Sequence, residues 1–496
     1  MKARHVPWLA VLVFLLQAPL YAGYITDDSY IYARFADNLA RHGELSFNLG
    51  EPVHAATSPL WAALGAIGTW TGIGSIEFLR ALGIFCGALG VFLLARTAAR
   101  LLAGRPVVVA VVGLVLATEP WLVRWSSSGM ETALGVLLLA IALEATLRPV
   151  DRVAWRRGAA ALGFLPLVRP EALLLIALFG LHVLRTPGAR RRLDVYLLAA
   201  TPMLAWASVA IPLYGHVLPE TMRAKSTPLG LQPDRLLYNV RVMAQILAIG
   251  AAVPVLVWAW RLVRHPQRLV RVDDDQWGSA AWWQWTLLLP VVYVVRDVQV
   301  VSRYVELVLP AMVLLAATTL SLRPSRPVRL AFAAQAALAL ALTMAWIAPS
   351  ARAFGTSLVG GLGDIASWLR TETPADATVA IYDIGVLGRE SERRILDLGG
   401  LVHPGINALR DRLDDATILH EGLFLDFGRP DYLVDRDVDG AVLDGRTIRD
   451  VRLRAILSRE VANLGLSRGR PVVYTLYAVE DGESAESVEA MGNDAP

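Results

Sequence analysis

The stretch ALGIFCGALGVFLLARTAARLLAGRPVVVAVVGLVLATEP, residues 81–120, decides the fold class. Two apolar runs, Leu82–Ala95 and Val107–Ala117, flank a short segment carrying Arg96, Arg100 and Arg105. Crossing the hydrocarbon core takes about 20 mostly apolar residues in a helix, and cationic loops mark the cytoplasmic side. The pattern continues in both directions, with further runs at Pro7–Ala22, Leu134–Ala145, Ala159–Val168, Ala172–Leu184, Val195–Leu213, Val242–Trp260, Trp282–Val295, Val305–Leu320 and Leu330–Ile347. Across all 496 residues, the AVILMFWYC set makes up 55% and charged residues 18%, against about 25% charged in a soluble chain. These numbers exclude a large soluble multidomain protein and predict a polytopic α-helical membrane protein.

The arginines set the expected topology. One set of loops holds Arg96, Arg100 and Arg105; Arg148, Arg152, Arg156 and Arg157; Arg190, Arg191 and Arg192; Arg261, Arg264, Arg268 and Arg271; and Arg323, Arg326 and Arg329. The alternate loops are poorer in arginine. The alternation holds if Ser58–Thr71 is a re-entrant or interfacial helix, and it then predicts about eleven transmembrane helices. Pro7–Ala22 reads as a signal anchor, since Leu20-Tyr21-Ala22 lacks the small residue a cleavage site needs. The expected N-terminus is cytoplasmic and the C-terminus outside, in a bacterial inner (plasma) membrane.

Beyond Pro349 the apolar runs become short, as at Thr378–Tyr382, Tyr432–Val434 and Pro471–Val479, with amphipathic stretches between them. That alternation predicts a small α/β domain. The expected organisation is a transmembrane domain over 1–349, with its first external loop at 23–76, an extracytoplasmic α/β domain over 350–480, and a disordered acidic tail over 481–496. No phosphate-binding glycine loop is present. Cys86 is the only cysteine, so disulfides within the chain and cysteine-based zinc clusters are excluded. No basic face with interleaved aromatics appears, which argues against nucleic acid as a partner.

Ionisable residues near apolar spans are costly and ask for a function. They gather on the expected outer side: Asp27 and Asp28; Ser127–Thr132 with Glu131; Arg169 and Glu171; Tyr214–Lys225 with His216; and Arg296–Tyr304 with Arg303. A one-sided constellation of this kind suits a membrane-embedded active site. Each piece also has a plainer reading. The Asp pair could be a solvated loop edge, Arg169-Pro170-Glu171 a local salt bridge at a helix start, Lys225 a surface lysine, and Ser126–Ser128 a cap on the following helix. His54, His216 and His403 are too scattered for a metal site.

Residues 26–61, TDDSYIYARFADNLARHGELSFNLGEPVHAATSPLW, resemble the opening loop of a family of GT-C glycosyltransferases that includes the mycobacterial terminal arabinofuranosyltransferase. Asp27, Asp28, Ile31, Arg34, Asn38, Leu39, Gly43, Phe47, Asn48, Gly50, Glu51, Val53 and Thr57–Trp61 match the pattern. SSGMET (127–132), RPE (169–171), YGHVLPETMRAKS (214–226), SRY (302–304), YDIGVLG (382–388), DLGGL (397–401) and PDYLV (430–434) extend the likeness over most of the chain. The family's histidine before the late external arginine has no counterpart in Arg296–Arg303, so no role is carried over for it.

The resemblance implies a GT-C-like enzyme moving a sugar, arabinofuranose by its nearest members, from a polyprenyl-phosphate-linked donor to an extracytoplasmic glycan or glycoprotein acceptor at the lipid bilayer. It implies Asp27 as general base in an inverting displacement, with Asp28 orienting sugar or acceptor. Arg303, Arg169, Lys225 and Arg34 are the candidate cations for the donor phosphate. Glu131, Glu171, His216, Tyr304, Asn48, Glu51 and Thr57 are candidates for substrate binding or bracing. No cofactor is implied. Asp27 and Asp28 could ligate a divalent metal, but nothing else completes a metal site. Two other classes stay open. A flippase of lipid-linked sugars should show internal repeats and midplane charges, which are not seen. A non-enzymatic envelope scaffold would leave the Asp pair without purpose. For the C-terminal domain the expected role is acceptor recognition.

Overall fold

The computed structural model describes residues 3–147, 152–185, 193–220, 233–269, 279–298, 301–322, 326–437, 439–462 and 470–482. Lys225, Arg148, Arg190–Arg192, Arg271, Asp273–Asp275, Arg323 and the expected tail from 483 onward lie outside them. The chain forms two compact units that interleave in sequence: Met1–Tyr24, Thr57–Pro219 and Lys225–Ala351 in one, and Ile25–Ala56, Glu220–Ala224 and Arg352–Pro496 in the other. A single boundary at 349 therefore does not describe the division. Residues 25–56 of the first loop pack with the C-terminal residues, although most of the first unit lies between them in the chain.

The first unit is helical, and its helices start where the sequence allows. Pro59, Pro106 and Pro120 each occupy the first turn, where the missing N–H costs nothing. Among the described residues, five helical runs are long and apolar enough to cross a membrane: Ala3–Tyr21, Ser75–Leu101, Leu193–Tyr214, Asp234–Arg264 and Arg326–Glu372. Pro106–Ala117 and Pro120–Ser126, bent by 49°, make a sixth if taken as one broken span. The expected number of about eleven would further need the shorter apolar helices Thr132–Thr146, Ala172–His182, Ala280–Val295 and Leu309–Thr318, together with Arg152–Phe164 and Leu165–Leu167 for the run expected at Ala159–Val168. Pro59–Trp70 has 12 residues, about 18 Å of helix, too short for a core of about 30 Å.

Breaks in the long helices have identifiable partners. Ala251 leaves helical geometry inside Pro233–Arg264. The Gln335 amide answers it, donating to the Gly250 carbonyl at 3.5 Å and accepting from the Val253 N–H at 3.4 Å. At the bend before Pro120, the Glu119 carboxylate accepts the N–H groups of Trp121 and Leu122. Backbone groups freed in an apolar interior need such partners.

The second unit is an α/β sandwich around a six-stranded sheet. Its strands are β1 (Thr378–Ile381), β2 (Arg394–Asp397), β3 (Tyr432–Asp437), β4 (Thr447–Ile448), β5 (Val451–Val461) and β6 (Val472–Asp481), in the order β2-β1-β3-β6-β5-β4. β1 runs parallel to β2 and β3, and the remaining pairs are antiparallel. Ala380, Leu396, Leu433, Leu453, Tyr477 and Phe424 form its core. The strands expected at 378, 432 and 471 are β1, β3 and β6. β2 and β5 went unread because Arg394 begins a four-residue strand and Arg452, Arg454 and Arg459 dilute the apolar alternation of β5. The first-loop helix Asp27–His42 packs against helix Ile384–Ser391, which connects β1 to β2.

Candidate functional site

Within the second unit, Asp27 opens helix Asp27–His42, and its carboxylate sits on the start of helix Ile384–Ser391. Oδ2 accepts the Gly385 N–H and Oδ1 the Val386 N–H, each at 2.8 Å. Gly385 makes this approach feasible, because a β-carbon there would collide with the Asp27 carbonyl and carboxylate. Gly388, one turn on, similarly leaves room for the Phe47 ring and the Arg34 guanidinium. The YDIGVLG and TDD motifs are thus two halves of one arrangement.

Burial is the chief reason the Asp27 carboxyl rises from its usual 3.8 to about 7. The charge of Asp383 adds to this, and the two N–H groups oppose it. A carboxylate at this poise accepts protons near neutrality, and each oxygen keeps a second lone pair beyond the N–H it holds. Asp383 is itself engaged by the Arg436 guanidinium and, at 2.6 Å, by the Tyr474 hydroxyl. Arg436 and Tyr474 were invisible to motif reading, since both lie inside strands of the sheet. Asp28 is half-buried in the same first turn.

Arg34 departs from its expected role. Its Nε donates to the Phe47 carbonyl at 2.7 Å, Nη1 to the Gly388 carbonyl, and Nη2 to the Arg393 carbonyl at 2.9 Å and Asn48 Oδ1 at 3.2 Å. Four of its five N–H donors are spent inside the unit, which makes it a brace and leaves little for a phosphate. Asn48 bonds both the N–H and the carbonyl of Ile395 on the edge strand β2. Its amide also donates to Glu51, which in turn pairs with Arg394 at 2.7 Å. Asn48 and Glu51 are therefore bracing residues. His54 is buried in this unit, and its carbonyl accepts the Glu220 N–H.

A second cluster lies in the first unit. Arg169 pairs with Glu131 at 3.0 Å with both side chains at most 3% exposed, and it donates to the Thr132 hydroxyl. The expected local salt bridge with Glu171 is replaced by this longer-range pair, and Glu171 instead accepts from the Tyr293 hydroxyl at 3.1 Å. Tyr304 is close to two cations, with Arg169 at 5.3 Å and Arg303 at 5.4 Å from its ring centre. Arg303 also stands 5.7 Å from the Trp125 ring. Trp125 and Tyr293 escaped notice because they sit in apolar runs.

The TSPLW segment supports this cluster. Ser58 caps its helix and donates to the Leu167 carbonyl, and Trp61 donates to the Gly129 carbonyl at 2.8 Å. Thr57 is half-buried just before them. Ser126, Ser127 and Ser128 do not cap the following helix. Their hydroxyls bond back to the carbonyls of Leu122, Val123 and Trp125 in the preceding one, because Gly129 and Met130 separate them from the helix start at Thr132. His216 closes a local turn on the Leu218 carbonyl. Among the described residues no three His, Cys, Asp or Glu side chains converge as metal ligands.

Comparison with known proteins places the fold. Residues 352–477 match a family model described as a domain of unknown function, DUF8728. No curated protein matches in sequence. A crystal structure of ArnT from Cupriavidus metallidurans bound to undecaprenyl phosphate is similar over 95% of this chain and 97% of that one, with 16% identity and a TM-score of 0.55. The oligosaccharyltransferase of Archaeoglobus fulgidus, tethered to an acceptor peptide, is similar over 87% of this chain and 69% of that one, with 11% identity and a TM-score of 0.54. Arabinofuranosyltransferase AftD from mycobacteria is similar over 98% of this chain and 40% of that one, with 18% identity and a TM-score of 0.49. The structural neighbours are GT-C glycosyltransferases, and the chain has the GT-C fold of a multi-pass membrane protein with a C-terminal sheet domain.

Proposed function

We propose that the protein is a membrane glycosyltransferase that takes a sugar, arabinofuranose, from a polyprenyl-phosphate donor and passes it to a glycan or glycoprotein acceptor on the extracytoplasmic face of a bacterial inner membrane. The observation that carries this reading is the buried pair of cations, Arg169 and Arg303, both close to the Tyr304 ring. Burying two guanidiniums is expensive unless anions compensate. Glu131 neutralises Arg169 directly, and Arg303 is the cation this reading assigns to the phosphate. The undecaprenyl phosphate bound by the ArnT structure and the dolichol-phosphate bound by an archaeal oligosaccharyltransferase, AglB, are ligands of that chemistry.

In the proposed reaction the ionised Asp27 carboxylate takes the proton of an acceptor hydroxyl. The acceptor oxygen forms its bond to the anomeric carbon as the carbon–oxygen bond to phosphate breaks, and polyprenyl phosphate leaves with the electron pair. Inversion at the anomeric carbon follows from the single displacement. Arg303 and Arg169 stabilise the charge gathering on the leaving phosphate, and Lys225 is a further candidate for that role. Asp28 orients the sugar or acceptor. The roles of base and phosphate cation are assigned from each cluster's own geometry.

Membranes containing the protein, given radiolabelled polyprenyl-phospho-arabinose, test the reading. Label should move to an endogenous glycan or glycoprotein, and Asp27→Asn should cut transfer by about 10²–10⁴-fold, the usual contribution of a positioned base. Failure to consume this or any other polyprenyl-phospho-sugar would overturn the transferase reading. Near-full transfer by a well-folded Asp27→Asn protein would overturn the base.

A further inference from the structure

Asp383 stands immediately before helix Ile384–Ser391, at the position where an aspartate ordinarily accepts the N–H of the second or third helical residue. Its side chain makes no such cap bond. The N–H groups it would take, those of Gly385 and Val386, are held by Asp27, from a helix some 358 positions earlier. Asp383 is turned away to the Arg436 guanidinium on β3 and the Tyr474 hydroxyl on β6, both of which bind its Oδ2. Two carboxylates thus have a claim on one helix start, and the local one, closer along the chain, has yielded.

We propose that Asp27 and Asp383 compete for the Gly385 and Val386 N–H groups, and that Arg436 and Tyr474 decide the competition for Asp27 by holding Asp383 aside. Arg436 and Tyr474 are then positioning residues for the base, and this rests on the reading of Asp27 given above. The argument is one of alternatives. With its two partners in place, Asp383 has a guanidinium and a phenol to satisfy its charge, and strong charge-assisted bonds of this kind outweigh a single cap. Without them, a half-buried carboxylate beside another carboxylate needs a new donor, and the nearest local donors are the N–H groups at the start of its own helix. Asp383 would then displace Asp27, since both cannot occupy the same two N–H groups and their charges repel.

The test is a rescue. Arg436→Gln, assayed with radiolabelled polyprenyl-phospho-arabinose in membranes, should lower transfer by about tenfold or more, because the misplaced base loses most of its contribution. Adding Asp383→Ala removes the competitor, and the double variant should recover at least about fivefold over Arg436→Gln, a gain that corresponds to about 1 kcal/mol. Tyr474→Phe keeps the ring packing and loses one bond to Asp383, and it should show a smaller loss that Asp383→Ala likewise reverses. Melting temperatures in detergent identify variants that fold. A double variant no more active than its folded single parent overturns the competition. If Asp27→Asn itself keeps full transfer, the reading of Asp27 as base fails instead, and the two failures are distinct.

Discussion

The Asp27 carboxylate caps helix Ile384–Ser391, accepting the N–H of Gly385, 358 positions further on, at 2.8 Å while its own carbonyl lies where a Gly385 side chain would be. This close approach depends on the absence of a β-carbon at 385. Gly385→Ala should therefore reduce transfer nearly as far as Asp27→Asn. It should also lower stability by about 1–3 kcal/mol, the usual cost of overpacking. Transferase assays and thermal melting in detergent check both effects.

The raised proton affinity of Asp27 gives a pH dependence with a definite sign. Only the ionised carboxylate can take a proton, so transfer should fall below pH 7 by about tenfold per unit. Stability moves the other way. The folded carboxyl titrates near 7 and the unfolded one near 3.8, so between those values the folded state holds the extra proton. The contribution of this group therefore favours folding at acid pH and is lost as pH rises from about 4 to about 7. Rate and melting profiles from pH 5 to 8 should show opposite slopes, and Asp27→Asn should flatten the melting difference.

Arg34 separates bracing from phosphate binding. Arg34→Lys keeps a positive charge yet cannot reproduce the fork that reaches Phe47, Gly388, Arg393 and Asn48. It should cost about 3 kcal/mol of stability, on the scale of charged hydrogen bonds. Donor KM should stay unchanged in the protein that folds. A raised donor KM with normal stability would return Arg34 to the phosphate.

How much of this was legible in the sequence differs by cluster. Glu131, Arg169, Glu171, Arg303 and Tyr304 could be named in advance, because charge beside apolar runs is conspicuous and expensive. Their pairing could not, since Arg169 chose Glu131, 38 positions away, over Glu171 at two. Asp27 was conspicuous for the same reason, while its partners were hidden. Gly385 and Val386 contribute only backbone N–H groups, which every residue but proline carries, and Arg436 and Tyr474 read as ordinary strand residues. Arg34 was misjudged because a lone arginine beside an expected active site has the same letter whether it meets a phosphate or four oxygen acceptors from its own unit.

The two buried arginines should respond differently to substitution. Glu131→Gln removes the carboxylate paired with Arg169, and breaking a buried pair costs about 3–5 kcal/mol. That variant should express poorly or melt far below the parent. Arg303→Gln removes the cation assigned to the phosphate, and the folded variant should show a donor KM raised about tenfold or more, the scale of one charge-assisted hydrogen bond. Steady-state rates against donor concentration distinguish the two.

Removal of the C-terminal residues gives the last test. A domain that served only to recognise acceptor could be cut away at Pro349, leaving donor hydrolysis intact. The packing argues otherwise, because residues 25–56 belong to the same compact unit as the residues after 352. Helix Asp27–His42 would lose the N–H groups that hold Asp27, the carbonyls that hold Arg34, and the Arg389 guanidinium that pairs with Asp37 at 2.9 Å. Asn48 would lose its edge strand at Ile395. The chain ending near Pro349 should therefore lose hydrolysis of the polyprenyl-phospho-sugar together with transfer, even where it inserts normally. Retained hydrolysis with lost transfer would restore a separable acceptor-recognition role.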